Sequence, residues 1–166
     1  MTIRVRPAIT KDVAIIRRMV ETYTLDGRLL AKAMVTLYED VQEFVVAVDD
    51  DDTVIGCGAL HVMWEDLAEV RTLAVDPDHL RRGVGSQLLE HLIGQARILG
   101  VQRVFCLTFE TAFFAKHGFV EIDGTPVDHA VFEQLLQSYD VGVAEFLDLE
   151  RVKPNTLGNH RMLLQL

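Results

Sequence analysis

The sequence is short of cysteine, with two in 166 residues, and of proline, with four. Cys57 and Cys106 stand inside apolar runs without metal-ligand spacing, which excludes a disulfide-stapled scaffold. They read as buried thiols in a reducing compartment, with a single disulfide between them left open. With 49% hydrophobic and 25% charged residues, the composition is neither disordered nor fibrous. No stretch approaches the ~20 uninterrupted apolar residues of a spanning helix, and Met1-Thr2-Ile3-Arg4-Val5-Arg6 lacks the apolar core of a signal peptide. The expected location is the cytoplasm. Positive charge is also scarce: 16 Lys and Arg against 25 Asp and Glu give a net charge of −9. That mean field repels nucleic acid and anionic membranes, so neither is expected as a partner, and any anionic ligand needs a local cluster of donors. The six histidines show no ligand spacing, His61 reads as structural, and no metal is expected.

Hydrophobic periodicity gives the order of elements. Residues 3–8 read as a strand, after which Thr10 can cap a helix bearing Val13, Ile16, Met19, Val20 and Tyr23 at helical spacing. A second helix is expected over 29–38. Residues 44–48 and 54–60 are strand-like, and Asp49 to Asp52 between them read as a solvated hairpin turn, since a cation loop spaces its carboxylates and carries a glycine. A strand over 68–75 ends in the turn Asp76-Pro77-Asp78. The clearest helix follows, with Val84, Leu88, Leu89, Leu92, Ile93, Ala96 and Leu99 on one face and Gly100 as its stop. Then come a strand over 101–108, a short helix over 112–116 and a strand over 119–122. Val131, Leu135 and Leu136 suggest a helix, 143–149 could be helix or strand, and 161–166 read as a closing strand. The alternation predicts an α/β domain with a mixed sheet and at least one βαβ crossover. The chain has no repeat or linker, and its length suits a single domain over 1–166.

The chemistry concentrates after the strand that ends at Val75. Arg81-Arg82-Gly83-Val84-Gly85-Ser86 opens the strong helix, so main-chain N–H groups lie at the positive end of a helix dipole and glycine permits close approach of an anion. Taken alone, Gly-x-Gly at a helix start is often only a turn. A nucleotide P-loop is ruled out because no Lys-Ser or Lys-Thr follows. The third glycine of a dinucleotide fingerprint is missing, and the loop does not belong to the first βα unit.

Leu73-Ala74-Val75-Asp76-Pro77 followed by Arg81-Arg82-Gly83-Val84-Gly85-Ser86-Gln87-Leu88-Leu89 resembles the acyl-CoA motif of GNAT acetyltransferases, and Lys116-His117-Gly118-Phe119 resembles their Gly-Phe landmark. The resemblance implies the GNAT fold, a mixed and mostly antiparallel central sheet flanked by helices, with acetyl-CoA as co-substrate. It further implies that the amides of Arg81, Arg82, Gly83, Val84, Gly85 and Ser86 hold the pyrophosphate, while the backbone of Leu73, Ala74 and Val75 pairs with the pantetheine arm. Leu80 departs from the motif, which usually has Gln or Arg there. Homodimers are common in the family, and 125–158 is the segment that could form the interface.

Gly56-Cys57-Gly58-Ala59-Leu60-His61, Glu69-Val70-Arg71-Thr72-Leu73 and Val104-Phe105-Cys106-Leu107-Thr108 are similar to the acetyltransferase domain of N-acetylglutamate synthases. Gly142 to Leu149 and Lys153-Pro154-Asn155 add similarity to the short form that lacks a kinase-like domain. The implied reaction is acetylation of the α-amino group of L-glutamate, with glutamine or another small amine, or an acyl-CoA-binding module without turnover, as alternatives. Glu69 is the candidate base that accepts the amine proton; it could instead be a strand-end carboxylate paired with Arg71. Where the family commonly places a proton-donating tyrosine this chain has Phe114, which leaves solvent or Thr108 to protonate the thiolate. A dicarboxylate substrate needs cationic partners. Lys32 and Arg71 are the first candidates, with Arg28 and Arg161 behind them, and Cys57 could line the pocket through its backbone.

Overall fold

A computed structural model describes residues 1–25, 29, 31–149 and 158–166. The strands are β1 (Arg4–Pro7), β2 (Phe44–Val48), β3 (Val54–Trp64), β4 (Leu67–Val75), β5 (Arg103–Thr108), β6 (Val120–Ile122) and β7 (His160–Gln165). The helices are α1 (Val13–Thr24), α2 (Met34–Glu39), α3 (Val84–Leu99), α4 (Thr111–Lys116), α5 (His129–Leu135) and α6 (Val141–Phe146). The seven strands follow the hydrogen-bonded order β1-β2-β3-β4-β5-β7-β6. The chain divides into two compact units, Met1–His61 with Val70–Leu99, and Val62–Glu69 with Gly100–Leu166.

In the first unit β1, β2 and β3 pair antiparallel. β3 alternates two faces: Cys57 and Ala59 join the core of Val13, Ile16, Val20 and Leu37 from α1 and α2, while Gly56 and Gly58 face α3. An added Cβ at Gly56 would lie 2.9 Å from Leu88 Cδ1 and 2.9 Å from Val84 Cγ1; one at Gly58 would lie 2.9 Å from Leu73 Cδ1 and 3.0 Å from Leu92 Cδ1. The missing side chains thus let α3 and Leu73 close on the strand. All five expected core positions of α1 are buried. On α3 the expected face is buried from Val84 to Ala96, but Leu99 is 60% exposed, because the helix ends there at Gly100, whose φ is +87°.

The aspartate run forms the expected turn: Asp49 Oδ1 accepts from the amides of Asp51 and Thr53, and Asp52 has φ +61°. The cap on α1 differs from expectation. Thr10 lies in a short 3-10 turn, Thr10–Asp12, and Asp12 takes the organising role. Its carboxylate accepts from Ile9 N at 2.8 Å and pairs with Arg6 in both prongs, at 2.7 and 3.1 Å. Burial pushes the Asp12 carboxyl up, yet the Arg6 and Ile9 bonds and the Arg6 charge together hold it below its ordinary value. The second helix is shorter than expected and begins at Met34.

In the second unit β4 runs parallel to β5 over Leu67–Glu69, and β5 and β6 each pair antiparallel with β7. Phe105, Phe146, Leu135, Val143 and Leu147 form the core, with Phe105 and Phe146 edge to face at 4.8 Å. The 143–149 alternative resolves as helix α6, which Asp140 caps through Val143 N at 2.9 Å. Leu136, expected on the buried face of α5, is 42% exposed at its end. Arg28 and Lys153-Pro154-Asn155 lie outside the described residues.

Candidate active site

In the first unit, β4 delivers the chain to the loop. Asp76 closes the strand by donating its amide to Ile55 O at 2.9 Å, and its Oδ1 accepts from Asp78 N at 2.9 Å, which folds Pro77–His79 into a 3-10 turn. Arg81 and Gly83 both take left-handed backbone conformations, at φ +61° and +83°, the kind of alternation from which anion-binding nests are built. The first α3 bond runs from Gln87 N to Gly83 O at 3.1 Å, so the amides of Val84 and Gly85 precede the helical ladder and sit at the positive dipole end. Nothing lies within 4 Å of where a Cβ on Gly83 would be. Arg81, Arg82 and Gly83 are exposed, while Val84 is buried and anchors the turn. The arrangement suits an anion: open space beside Gly83, main-chain donors at a helix start, and two exposed arginines adjacent in sequence.

Leu73, Ala74 and Val75 directly precede this loop. Two features of that stretch escaped sequence reading. Thr72 is 8% exposed and has φ +56° inside the strand, a conformation that costs a β-branched residue about 1–3 kcal/mol. No sequence signal marks it, since threonine is an ordinary strand residue. The Cys57 thiol, on the neighbouring strand, donates to the Thr72 carbonyl at 3.7 Å. The second feature is Tyr23 of α1, whose hydroxyl donates to the Val75 carbonyl. Periodicity marked Tyr23 only as core, although a buried tyrosine hydroxyl always raises the question of its partner. Lys32, half-buried ahead of α2, and Arg71, half-buried on β4 with Nη2 enclosed, also belong to this unit.

In the second unit Glu69 is 3% exposed on β4, in register with Phe105. Thr108 ends β5, 8% exposed, and its Oγ1 accepts from Glu110 N at 2.8 Å, which leaves the hydroxyl proton for another acceptor. Phe114 packs edge to face between Phe113 and Phe119, each at 5.1 Å, so this position offers no proton. Arg161 is a strut: Nε donates to Gly124 O at 2.8 Å, Nη1 to Glu145 O at 3.4 Å and Nη2 to Phe146 O, with the guanidinium 5.0 Å from the Phe105 ring centre. Burial lowers its pKa, against the charges of Asp148 and Glu69, which raise it. With its donors on the Gly124, Glu145 and Phe146 carbonyls, it is placed to complement the buried Glu69 charge.

Neither thiol is equipped as a nucleophile. Burial pushes Cys57 up to about 12, against an Ala74 amide contact that lowers it. Burial, and then the Glu69 charge, hold Cys106 well above the ordinary thiol range. The thiolate fraction at neutral pH is therefore negligible, on the order of 10⁻⁵ for Cys57. Among the described residues no cluster of three or more His, Cys, Asp and Glu could hold a metal, and no helix is long and apolar enough to cross a membrane.

Comparison with known proteins identifies the family. Residues 16–119 match the acetyltransferase (GNAT) family model. The chain is 58% identical to an amino-acid acetyltransferase of Mycobacterium tuberculosis, over 98% of this chain and 94% of that protein. A crystal structure from M. tuberculosis, in complex with CoA and NLQ, superposes with TM-score 0.96 at 57% identity, covering 98% of this chain and 99% of the other. N-acetylglutamate synthase from Neisseria gonorrhoeae, complexed with coenzyme A and N-acetyl-glutamate, shares the fold at TM-score 0.78 and 24% identity; this chain covers 35% of it. With the mixed, mostly antiparallel seven-stranded sheet and the glycine loop opening α3, these matches establish that the chain belongs to the GNAT family of acetyltransferases.

Proposed function

We propose that residues 1–166 form a single amino-acid N-acetyltransferase domain that transfers the acetyl group of acetyl-CoA to the α-amino group of L-glutamate, the N-acetylglutamate synthase reaction that opens arginine biosynthesis. The observation that carries the reading is the near-full-length identity to the M. tuberculosis amino-acid acetyltransferase. The loop geometry supports the donor: main-chain amides and two arginines suit the pyrophosphate, and Leu73, Ala74 and Val75 are extended and ready to pair with pantetheine. In this reading the protein is cytoplasmic.

The proposed chemistry is direct transfer. Glu69 accepts a proton from the substrate ammonium, by contact or through one water, and the neutral amine attacks the thioester carbonyl. A C–N bond forms and the attacking nitrogen sheds its second proton to solvent, the C–S bond breaks, and the departing thiolate takes its proton from solvent or Thr108. The raised cysteine pKa values argue against an acetyl-cysteine intermediate. Lys32 and Arg71 pair with the substrate carboxylates, because two anions cannot be desolvated without partners, and Cys57 supports the pocket from β3. The test is free-thiol release from acetyl-CoA across a panel of amino acids. Release with L-glutamate supports the proposal. Release with glutamine alone reassigns the substrate, and release with none of the panel leaves an acyl-CoA-binding module.

A further inference from the structure

The backbone of β4 shows which of its polar groups are available on each edge. Asp76 N donates to Ile55 O, and Ala74 O lies 3.2 Å from where a Cβ on Gly56 would sit. Residues 74 and 76 therefore present their main-chain groups to β3. Strand alternation turns those of Leu73 and Val75 to the opposite edge. The parallel ladder on that edge covers Leu67–Glu69 and ends six residues before Val75. Its carbonyl is instead met by the hydroxyl of Tyr23, which reaches it from the last turn of α1. Tyr23 is 8% exposed, whereas Tyr38 and Tyr139 are 47% and 100% exposed.

We propose that Tyr23 is a stand-in for the acyl donor: its hydroxyl satisfies the Val75 carbonyl and gives it up to an amide N–H of the pantetheine arm when acetyl-CoA binds. The inference rests on the reading that Leu73 to Val75 pair with that arm. A half-buried carbonyl without a donor is costly, and an edge left without a partner is open to wrong pairing. A side chain that holds the carbonyl in place keeps β4 extended and ready. The exchange replaces one hydrogen bond by another, so donor binding gains less than it would on an open carbonyl. The hydroxyl thus sets donor affinity while contributing no atom to the chemistry.

Two measurements test this on the intact chain with acetyl-CoA alone as the probe. The first is NMR of wild-type protein carrying ¹³Cζ-tyrosine, with the Tyr23 signal assigned by its absence in Tyr23→Phe. Saturation with acetyl-CoA should move the Tyr23 resonance and leave those of Tyr38 and Tyr139 in place. The second is calorimetric titration of Tyr23→Phe, in which Kd for acetyl-CoA should fall about three- to tenfold, the scale of one net hydrogen bond. KM for acetyl-CoA should fall with it while KM for the amino acid stays. A Tyr23 signal unmoved at saturation, or a folded Phe variant that binds equally or more weakly, overturns the proposal. If the Phe variant does not fold, one labelled tyrosine resonance moving on saturation still supports it, and none moving overturns it. Absence of binding heat with wild-type protein sinks the donor reading itself and is thereby told apart.

Discussion

Gly83→Glu separates a phosphate cradle from a plain turn. Gly83 is exposed, has φ +83°, and has open space where a Cβ would go, so no clash is introduced and the fold loses only the cost of a left-handed side chain, about 1 kcal/mol. Donor binding loses more. A carboxylate about 5 Å from one phosphate charge is repelled by about 0.8 kcal/mol in water and about 3 kcal/mol at an effective dielectric of 20. The pyrophosphate carries two such charges. A loss of ~2–4 kcal/mol, or roughly 30- to 1,000-fold in Kd, is therefore expected. Gly83→Ala carries the strain without the charge and should change Kd by less than about fivefold. Calorimetric titration of both variants, with melting curves to confirm folding, reads the difference, and raising the salt should recover part of the loss in the Glu variant alone. If both variants bind acetyl-CoA with equal affinity, the loop does not hold the pyrophosphate.

Gly85→Glu, two residues further on in the first turn of α3, should abolish acetyl-CoA binding in a folded protein, measured by the same titration. Glu69→Gln should lower kcat by about 10²-fold near neutral pH with little change in acetyl-CoA affinity; an unchanged pH–rate profile would assign the base elsewhere. Lys32→Ala and Arg71→Ala should each raise KM for glutamate, on the scale of ~2–5 kcal/mol for a desolvated pair that loses one partner. The residue that holds the α-carboxylate should affect glutamine equally, and the one that reads the side chain should affect glutamate alone. For Asp12 the folded pKa is depressed, so its contribution is present above the unfolded carboxylate value and is lost as pH falls through the folded one. Asp12→Asn should cost about 1.5–3 kcal/mol at pH 7, and denaturant titrations should show the gap to wild type closing as pH falls below the ordinary carboxylate range.

Sequence periodicity was informative where burial is one-sided. The α1 stripe and the α3 face were legible because each helix packs one face on a sheet, and the aspartate turn was legible because its residues bond their own backbone. The loop at Arg81 to Ser86 was visible through its glycines, but those residues alone do not separate a cradle from a turn, and the cradle reading came from family resemblance. What stayed hidden depends on contacts between residues distant in sequence. Thr72 takes a left-handed conformation inside β4 against its own propensity, with the Cys57 thiol on its carbonyl. The bonds of Arg161 to the carbonyls of Gly124, Glu145 and Phe146 were hidden because those carbonyls carry no mark in the sequence. Asp12 was overlooked as the organiser of α1 because its partner Arg6 lies on a separate element. Tyr23 was found as core, while its hydroxyl and its partner on β4 needed coordinates.

The measurement that bears most directly on the central claim is the ratio of kcat/KM for L-glutamate to that for L-glutamine, followed by free-thiol release from acetyl-CoA with NMR of the product. The proposed enzyme acetylates the α-amino nitrogen of glutamate, and glutamate is favoured by tenfold or more, because the amide of glutamine leaves a cation in the pocket without its charge partner. Equal or inverted selectivity, or no acetylated glutamate at saturating acetyl-CoA, would contradict it.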